Sequence, residues 1–255
     1  MTNILNYKIY GTGQAIIILH GLFGMLDNWK SIARKLQEEY QVILVDQRNH
    51  GRSMRSDTFS YEVMAKDVIT LMDFLGLEKV IILGHSMGGK TAIQTAYSYS
   101  NRIQKLIVVD IVPKTYRRGH DEIFKAINNV PINSITNRKE AEGYLGPYID
   151  NLGVRQFLLK NLHRNTDGSF EWKANFNVLH REYDKMVAGL QLDETIDTPS
   201  LFIRGTRSNY ISDGDIVILN ELFGNAQTKD IEASHWVHAE RPDELLGVLR
   251  TFLTS

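Results

Sequence analysis

Ser86 lies in the string Leu83-Gly84-His85-Ser86-Met87-Gly88-Gly89, a G-x-S-x-G pattern. A serine hydroxyl is a poor nucleophile by itself. It needs a base for its proton, donors for the negative charge that develops on the substrate, and a position that a substrate can reach. The neighbours of Ser86 address the last need. Val80-Ile81-Ile82-Leu83 is a short, apolar, β-branched run that suits a buried strand, and residues 90–97 suit a helix. A strand that turns abruptly into a helix with serine at the apex is a nucleophile elbow. The flanking glycines leave room for so tight a turn, which lifts the hydroxyl off the sheet edge.

A second string, His20-Gly21-Leu22-Phe23-Gly24, follows the apolar run 15–19. Acyl transfer requires donors aimed at the oxygen of the tetrahedral state. One is expected to be the backbone N–H of Met87, the residue after the serine. The other is expected from this earlier loop, with the N–H of Leu22 the best placed because Gly21 lets the backbone come close. His20 reads as a residue that orders the loop.

The base should lie near the C-terminus, since this chemistry runs serine, acid, histidine along the chain. Ser234-His235-Trp236-Val237-His238 offers two histidines. His235 comes first, after the small residues Ala233 and Ser234, and is the expected base. His238, beside Glu240, reads as structural. The remaining histidines have no matching context, and no pair has the H-E-x-x-H spacing of a zinc site.

The acid departs from the usual placement, three residues after a glycine at the end of the penultimate core strand. Here that position, after Gly205, holds Ser208, which carries no charge to set against an imidazolium. Asp110 ends the preceding apolar run, 105–109, on the same edge of the expected sheet, and is the first choice. Its alternative role is to order the turn into Ile111-Val112-Pro113. Asp213 and Asp215 are rivals, but they stand where a helix over 216–223 would start.

These residues must be held by strands and helices in alternation. Expected strands cover 4–10, 15–19, 41–45, 80–83, 105–109, 200–203 and 228–231. The clearest helix covers 61–75, with Met64, Val68, Leu71, Met72 and Leu75 on one face and Ser60 as its cap. Another covers 243–251, with Pro242 in its first turn. Such alternation predicts an α/β fold, a mostly parallel sheet flanked by helices, with ligands at the carboxyl ends of the strands. Residues 113–190 break the pattern. Amphipathic pieces at 122–128, 154–162 and 175–187 predict a helical cap inserted into a core made of residues 1–112 and 191–255.

The 255 residues suffice for one sizeable core, and the net charge of −1 argues against a general nucleic-acid binder. No cysteine is present, so disulfides, thiolate metal sites and a cysteine nucleophile are excluded. The apolar runs are too short to span a bilayer. The first residues lack a basic-then-apolar signal pattern, which makes a cytoplasmic protein the default expectation.

The chain resembles the α/β-hydrolases, and within them the bacterial YbfF-type esterases. The resemblance rests on His20 to Gly24 with Leu26-Asp27-Asn28, on Asp46-Gln47-Arg48-Asn49-His50-Gly51-Arg52-Ser53, and on Gly84 to Lys90. Through the cap to the C-terminus it continues in His120-Asp121-Glu122-Ile123-Phe124, Gln156-Phe157-Leu158-Leu159-Lys160 and His235-Trp236-Val237-His238-Ala239-Glu240. The elbow and His20-Gly21 identify only the superfamily; the cap segments and the Arg48–Gly51 stretch are more specific. Arg48 to Ser53 reads most simply as a structural turn. The resemblance implies an acid after the earlier strand, which favours Asp110. It also implies hydrolysis of esters and acyl thioesters, acyl-CoA among them, with no cofactor and a small-molecule substrate. C–C bond hydrolysis or perhydrolysis on the same three residues, and a ligand receptor on the same scaffold, are the alternatives.

Overall fold

The computed structural model describes residues 4–255. In chain order its strands are β1 (Tyr7–Tyr10), β2 (Ala15–Leu19), β3 (Gln41–Val45), β4 (Val80–His85), β5 (Ile103–Val109), β6 (Leu162–Arg164), β7 (Phe170–Trp172), β8 (Ser200–Gly205) and β9 (Ala226–Ile231). All but β6 and β7 join one 7-stranded sheet in the order β1-β3-β2-β4-β5-β8-β9. Only β1 runs antiparallel to its neighbour. The helices are α1 (Lys30–Leu36), α2 (Tyr61–Phe74), α3 (Met87–Ser98), α4 (Asp121–Asn128), α5 (Arg138–Leu145), α6 (Leu152–Leu159), α7 (Phe176–Arg181), α8 (Tyr183–Val187), α9 (Asp213–Leu222), α10 (Val237–Glu240) and α11 (Pro242–Thr254).

The central strands are apolar throughout because both of their faces are covered. Successive side chains point to opposite faces. Ile17, Leu19, Ile82 and Val108 pack with α2, α3 and α9, and Ile16, Ile18, Leu83 and Val109 pack with α1 and α11. The start of α2 follows the expectation from Ser60, whose Oγ accepts from the N–H of Val63 at 3.2 Å. Pro242 occupies the first turn of α11. No helix among the described residues is long and apolar enough to cross a membrane.

Between β5 and β8 the chain forms the helical cap region, α4 to α8, with its own apolar cluster that includes Phe124, Leu145, Leu158 and Leu179 and reaches down to Phe23 and Met87. Two details differ from the sequence reading. The helix expected over 154–162 spans Leu152–Leu159, started by the Asn151 side chain, which accepts from Val154 N–H. Its last expected residue, Leu162, opens a small antiparallel hairpin, β6 with β7. The piece 175–187 is two short helices parted at Glu182, whose φ −94° and ψ 10° leave the helical range.

Candidate functional site

Ser86 joins β4 to α3 with φ 53° and ψ −121°, a backbone state that an L-residue adopts at a cost of about 1–3 kcal/mol. The glycine spacing explains how the turn closes. A Cβ on Gly84 would lie 2.0 Å from the carbonyl oxygen of Gly88, and one on Gly88 would lie 2.5 Å from the carbonyls of Leu19 and His20. Gly21 also comes close, since a Cβ there would stand 3.0 Å from His85 Nδ1 and 3.2 Å from the Cβ of Ser86. The loop after β2 is thus pressed against the serine.

That loop is held from several sides. His20 Nδ1–H donates to the Gly21 carbonyl at 2.8 Å, and its Nε2 accepts from Gln47 N–H at 3.1 Å. Phe23 has a φ of 62°. Its N–H donates to His50 Nε2 at 3.2 Å, and its carbonyl accepts from the Nδ2 of Asn161, a cap residue, at 2.8 Å. Burial pushes His20 down to about 4 and His50 down to about 3, so both are neutral at pH 7, as their acceptor nitrogens require. Among the described residues, no backbone acceptor takes the N–H of Leu22 or of Met87. For Met87 the reason is general, because the first N–H groups of a helix have no acceptor within it.

Asp110 follows β5, fully buried, with φ 51°. Its carboxylate accepts from Gly205 N–H at 2.9 Å, from Ser208 Oγ–H at 2.5 Å and from His235 Nδ1–H at 2.8 Å. These donors replace water around a buried charge. The residue in the usual acid position, Ser208, is therefore a hydrogen-bond partner of Asp110. Gly205 also lets the chain after β9 come close, since a Cβ there would stand 2.6 Å from the Ser234 carbonyl. Asp213 and Asp215 are engaged elsewhere. Asp213 is 95% exposed and pairs with Arg204 at 2.6 Å. Asp215 closes a capping box with Ser212 at the start of α9 and pairs with Lys114.

His235 is sandwiched. The Tyr210 ring stacks on it with centroids 3.8 Å apart and planes 14° apart. His85, next to the serine, donates Nε2–H to the His235 carbonyl at 2.8 Å. His238 has no bond to Asp110. It stacks on Trp29 at 4.5 Å, and burial pushes it down to about 3. Tyr210, His85 and Asn161 carry no local sequence signal for these roles, because each acts across a long chain separation. Ser86, His235, Leu22 and Tyr210 border a cavity of about 670 Å³ between the sheet edge and the cap, within the usual range for a small-molecule site. The turn from Arg48 to Ser53 lies around the Asp46 carboxylate, which accepts from Arg52 N–H and Leu26 N–H, and it keeps the structural reading.

Residues 14–132 match the family model described as the alpha/beta hydrolase fold. The chain is 40% identical over 242 residues to Esterase YbfF of Escherichia coli, covering 94% of this chain and 93% of that protein. The chain belongs to the α/β-hydrolase superfamily, close to the bacterial YbfF-type esterases. A solved structure, a marine microorganism esterase, superposes with a TM-score of 0.96 at 40% identity over 98% of this chain and 100% of that one. The sn-1-specific diacylglycerol lipase ABHD11 of Danio rerio is 35% identical over 261 residues, 98% of this chain and 82% of that protein.

Proposed function

We propose that this α/β-hydrolase cleaves carboxylic esters and acyl thioesters, acyl-CoA among them, through an acyl-enzyme on Ser86. Ser86 Oγ attacks the acyl carbon while His235 takes its proton. Asp110 holds His235 with Nδ1 protonated, so that Nε2 is the basic nitrogen, and stabilises the imidazolium. The N–H groups of Leu22 and Met87 receive the oxyanion. His235 then protonates the leaving group, and a water activated by the same imidazole clears the acyl-enzyme.

The observation that carries this reading is the 2.8 Å contact of His235 Nδ1 with Asp110 Oδ2, which turns the other imidazole nitrogen away from the acid within a cavity that Ser86 also borders. The names of the relatives support ester chemistry, and the resemblance to YbfF-type esterases supports the thioester extension. The test is labelling by a fluorophosphonate together with hydrolysis of p-nitrophenyl and CoA esters. Wild type should label and turn over; Ser86→Ala should do neither, with kcat lower by about 10⁶. A folded Ser86→Ala protein with near-normal turnover would sink the assignment.

A further inference from the structure

Glu240 is the last residue of α10, a single helical turn that doubles the chain back, with Glu240 N–H donating to the Trp236 carbonyl at 3.0 Å. The turn returns the Glu240 carboxylate to Ser234, six residues earlier. Its Oε2 accepts from Ser234 N–H at 3.1 Å, and its Oε1 accepts from Ser234 Oγ–H. Ser234 is the residue before His235. We propose that Glu240 is a positioning residue for the reaction, whose carboxylate fixes the loop that presents the His235 imidazole to Ser86.

This role presupposes His235 as the base of the proposed function. A base must stand within hydrogen-bond reach of the proton it takes. The His235 ring is directed by one bond, from Nδ1–H to Asp110 at 2.8 Å. A ring held at one corner can still pivot there, so the direction of Nε2 depends also on where the backbone stands. Two side chains fix that backbone. His85 Nε2–H donates to the His235 carbonyl at 2.8 Å, and Glu240 holds the preceding residue through both a main-chain and a hydroxyl hydrogen.

Glu240 also faces Arg207, whose Nη2 lies 2.6 Å from Oε2. The Arg207 N–H donates to the Ala233 carbonyl at 3.0 Å, and the next residue, Ser208, donates to Asp110. The carboxylate thus ties the loop after β9, which carries His235, to the loop after β8, which carries Ser208. A surface glutamate with no such role would need only the ion pair. That pair is half-exposed at its arginine, and exposed pairs contribute little to stability. The bonds to Ser234 are of another kind, because they fix the main chain beside the base. The same bonds, that from Ser234 Oγ–H first, hold the Glu240 carboxyl below the usual carboxylate range, so both oxygens are acceptors at neutral pH.

The experiment measures kcat and KM for p-nitrophenyl acetate, the rate of fluorophosphonate labelling, and thermal unfolding, in wild type, Glu240→Ala, Glu240→Gln and Ser234→Ala. Misplacing a reacting group by about 1 Å can cost on the order of 10² in rate. Glu240→Ala should therefore lose about tenfold or more in kcat with KM within about twofold. Its labelling rate should fall in parallel, since the probe needs the same activated serine. Glu240→Gln can accept from Ser234 N–H through Oε1 and donate from Nε2 to Ser234 Oγ. It should recover most of the loss, giving up only the charge opposite Arg207. Ser234→Ala keeps the main-chain bond and should lose about threefold in kcat. A merely structural Glu240 would lower the unfolding temperature and leave kcat and labelling of the folded variants unchanged, which would overturn the inference. A loss confined to KM, or equal losses in Glu240→Gln and Glu240→Ala, would overturn it too. If Glu240→Ala does not fold, Ser234→Ala decides, and an unchanged kcat there counts against the role. Wild type that neither labels nor hydrolyses any ester would overturn the proposed function itself.

Discussion

Ser208 and His235 donate to the same oxygen of Asp110, at 2.5 Å and 2.8 Å. In the proposed triad the carboxylate therefore follows the strand before the usual one, and a hydroxyl stands in the position that it vacates. The exchange preserves the geometry around His235, because β5 and β8 are parallel neighbours paired from Leu106 with Ser200 to Val109 with Ile203. Residues just past the ends of two such strands stand side by side at one sheet edge.

Asp110→Asn is expected to lower kcat by about 10⁴, through loss of the correct imidazole tautomer. The amide must also turn its NH₂ toward at least one of the three donors it faces, so stability should drop by about 1–3 kcal/mol. Ser208→Ala removes one donor of three and should reduce kcat by no more than about tenfold. Asp213→Asn, at an exposed ion pair, should stay near wild type. Steady-state kcat for the three variants, with folding followed by circular dichroism, checks this. A silent Asp110→Asn beside a crippled Asp213→Asn would move the acid to the later strand.

The two C-terminal histidines should separate sharply. His235→Ala removes the proposed base and should reduce kcat by a factor on the order of 10⁶. His238→Ala removes the stack on Trp29 and the edge contact with His85, and should act mainly on thermal stability. The reverse ranking in kcat would reassign the base.

What the sequence makes legible follows from how local each signal is. The elbow is readable because glycine spacing and an adjacent apolar strand lie within one short stretch, and the steric reason is the close approach of Gly84 to Gly88. Asp110 stands out by its position at a strand end, and Ser208 marks the departure without revealing that it bonds to Asp110. The hairpin of β6 and β7 escapes because three-residue strands show no alternation. Asn161 escapes because its partner, Phe23, is 138 residues away, a separation that no periodicity encodes.

Asn161 is expected to act as a positioning residue. It holds the Phe23 carbonyl from the cap side while His50 holds the Phe23 N–H, and the proposed donor Leu22 is the preceding residue. Losing an oxyanion donor outright costs about 10²–10³ in kcat, so loosening one should cost less, on the order of tenfold. Asn161→Ala should show this in kcat with KM little changed. Asn161→Asp, which sets an oxygen against the Phe23 carbonyl, should be worse at neutral pH. A change confined to KM would mean that Asn161 shapes the cavity rather than the loop.

The buried imidazoles set a direction for stability against pH. Burial pushes His20 and His120 down to about 4, His50 and His238 down to about 3, and His85 well below the ordinary value of 6.5. Unfolded, each takes up a proton near 6.5. Between the folded and unfolded values the unfolded chain therefore binds more protons, and stability rises with pH. The contribution is fully present above about pH 6.5 and is lost as pH falls toward 4 and then 3. Each group adds a slope of at most about 1.4 kcal/mol per pH unit, so the set should remove several kcal/mol between pH 6.5 and pH 5. Urea unfolding at pH 7.5, 6 and 5 should show the midpoint falling at each step. His238→Phe isolates one group, since the ring can keep its stack on Trp29 and the buried Nδ1 that lacks a partner is removed. That variant should have a shallower pH slope by about the share of one histidine and should gain on wild type as the solution is acidified. Parallel profiles for the two proteins would mean that His238 titrates alike in both states, and the burial argument for this cluster would be wrong.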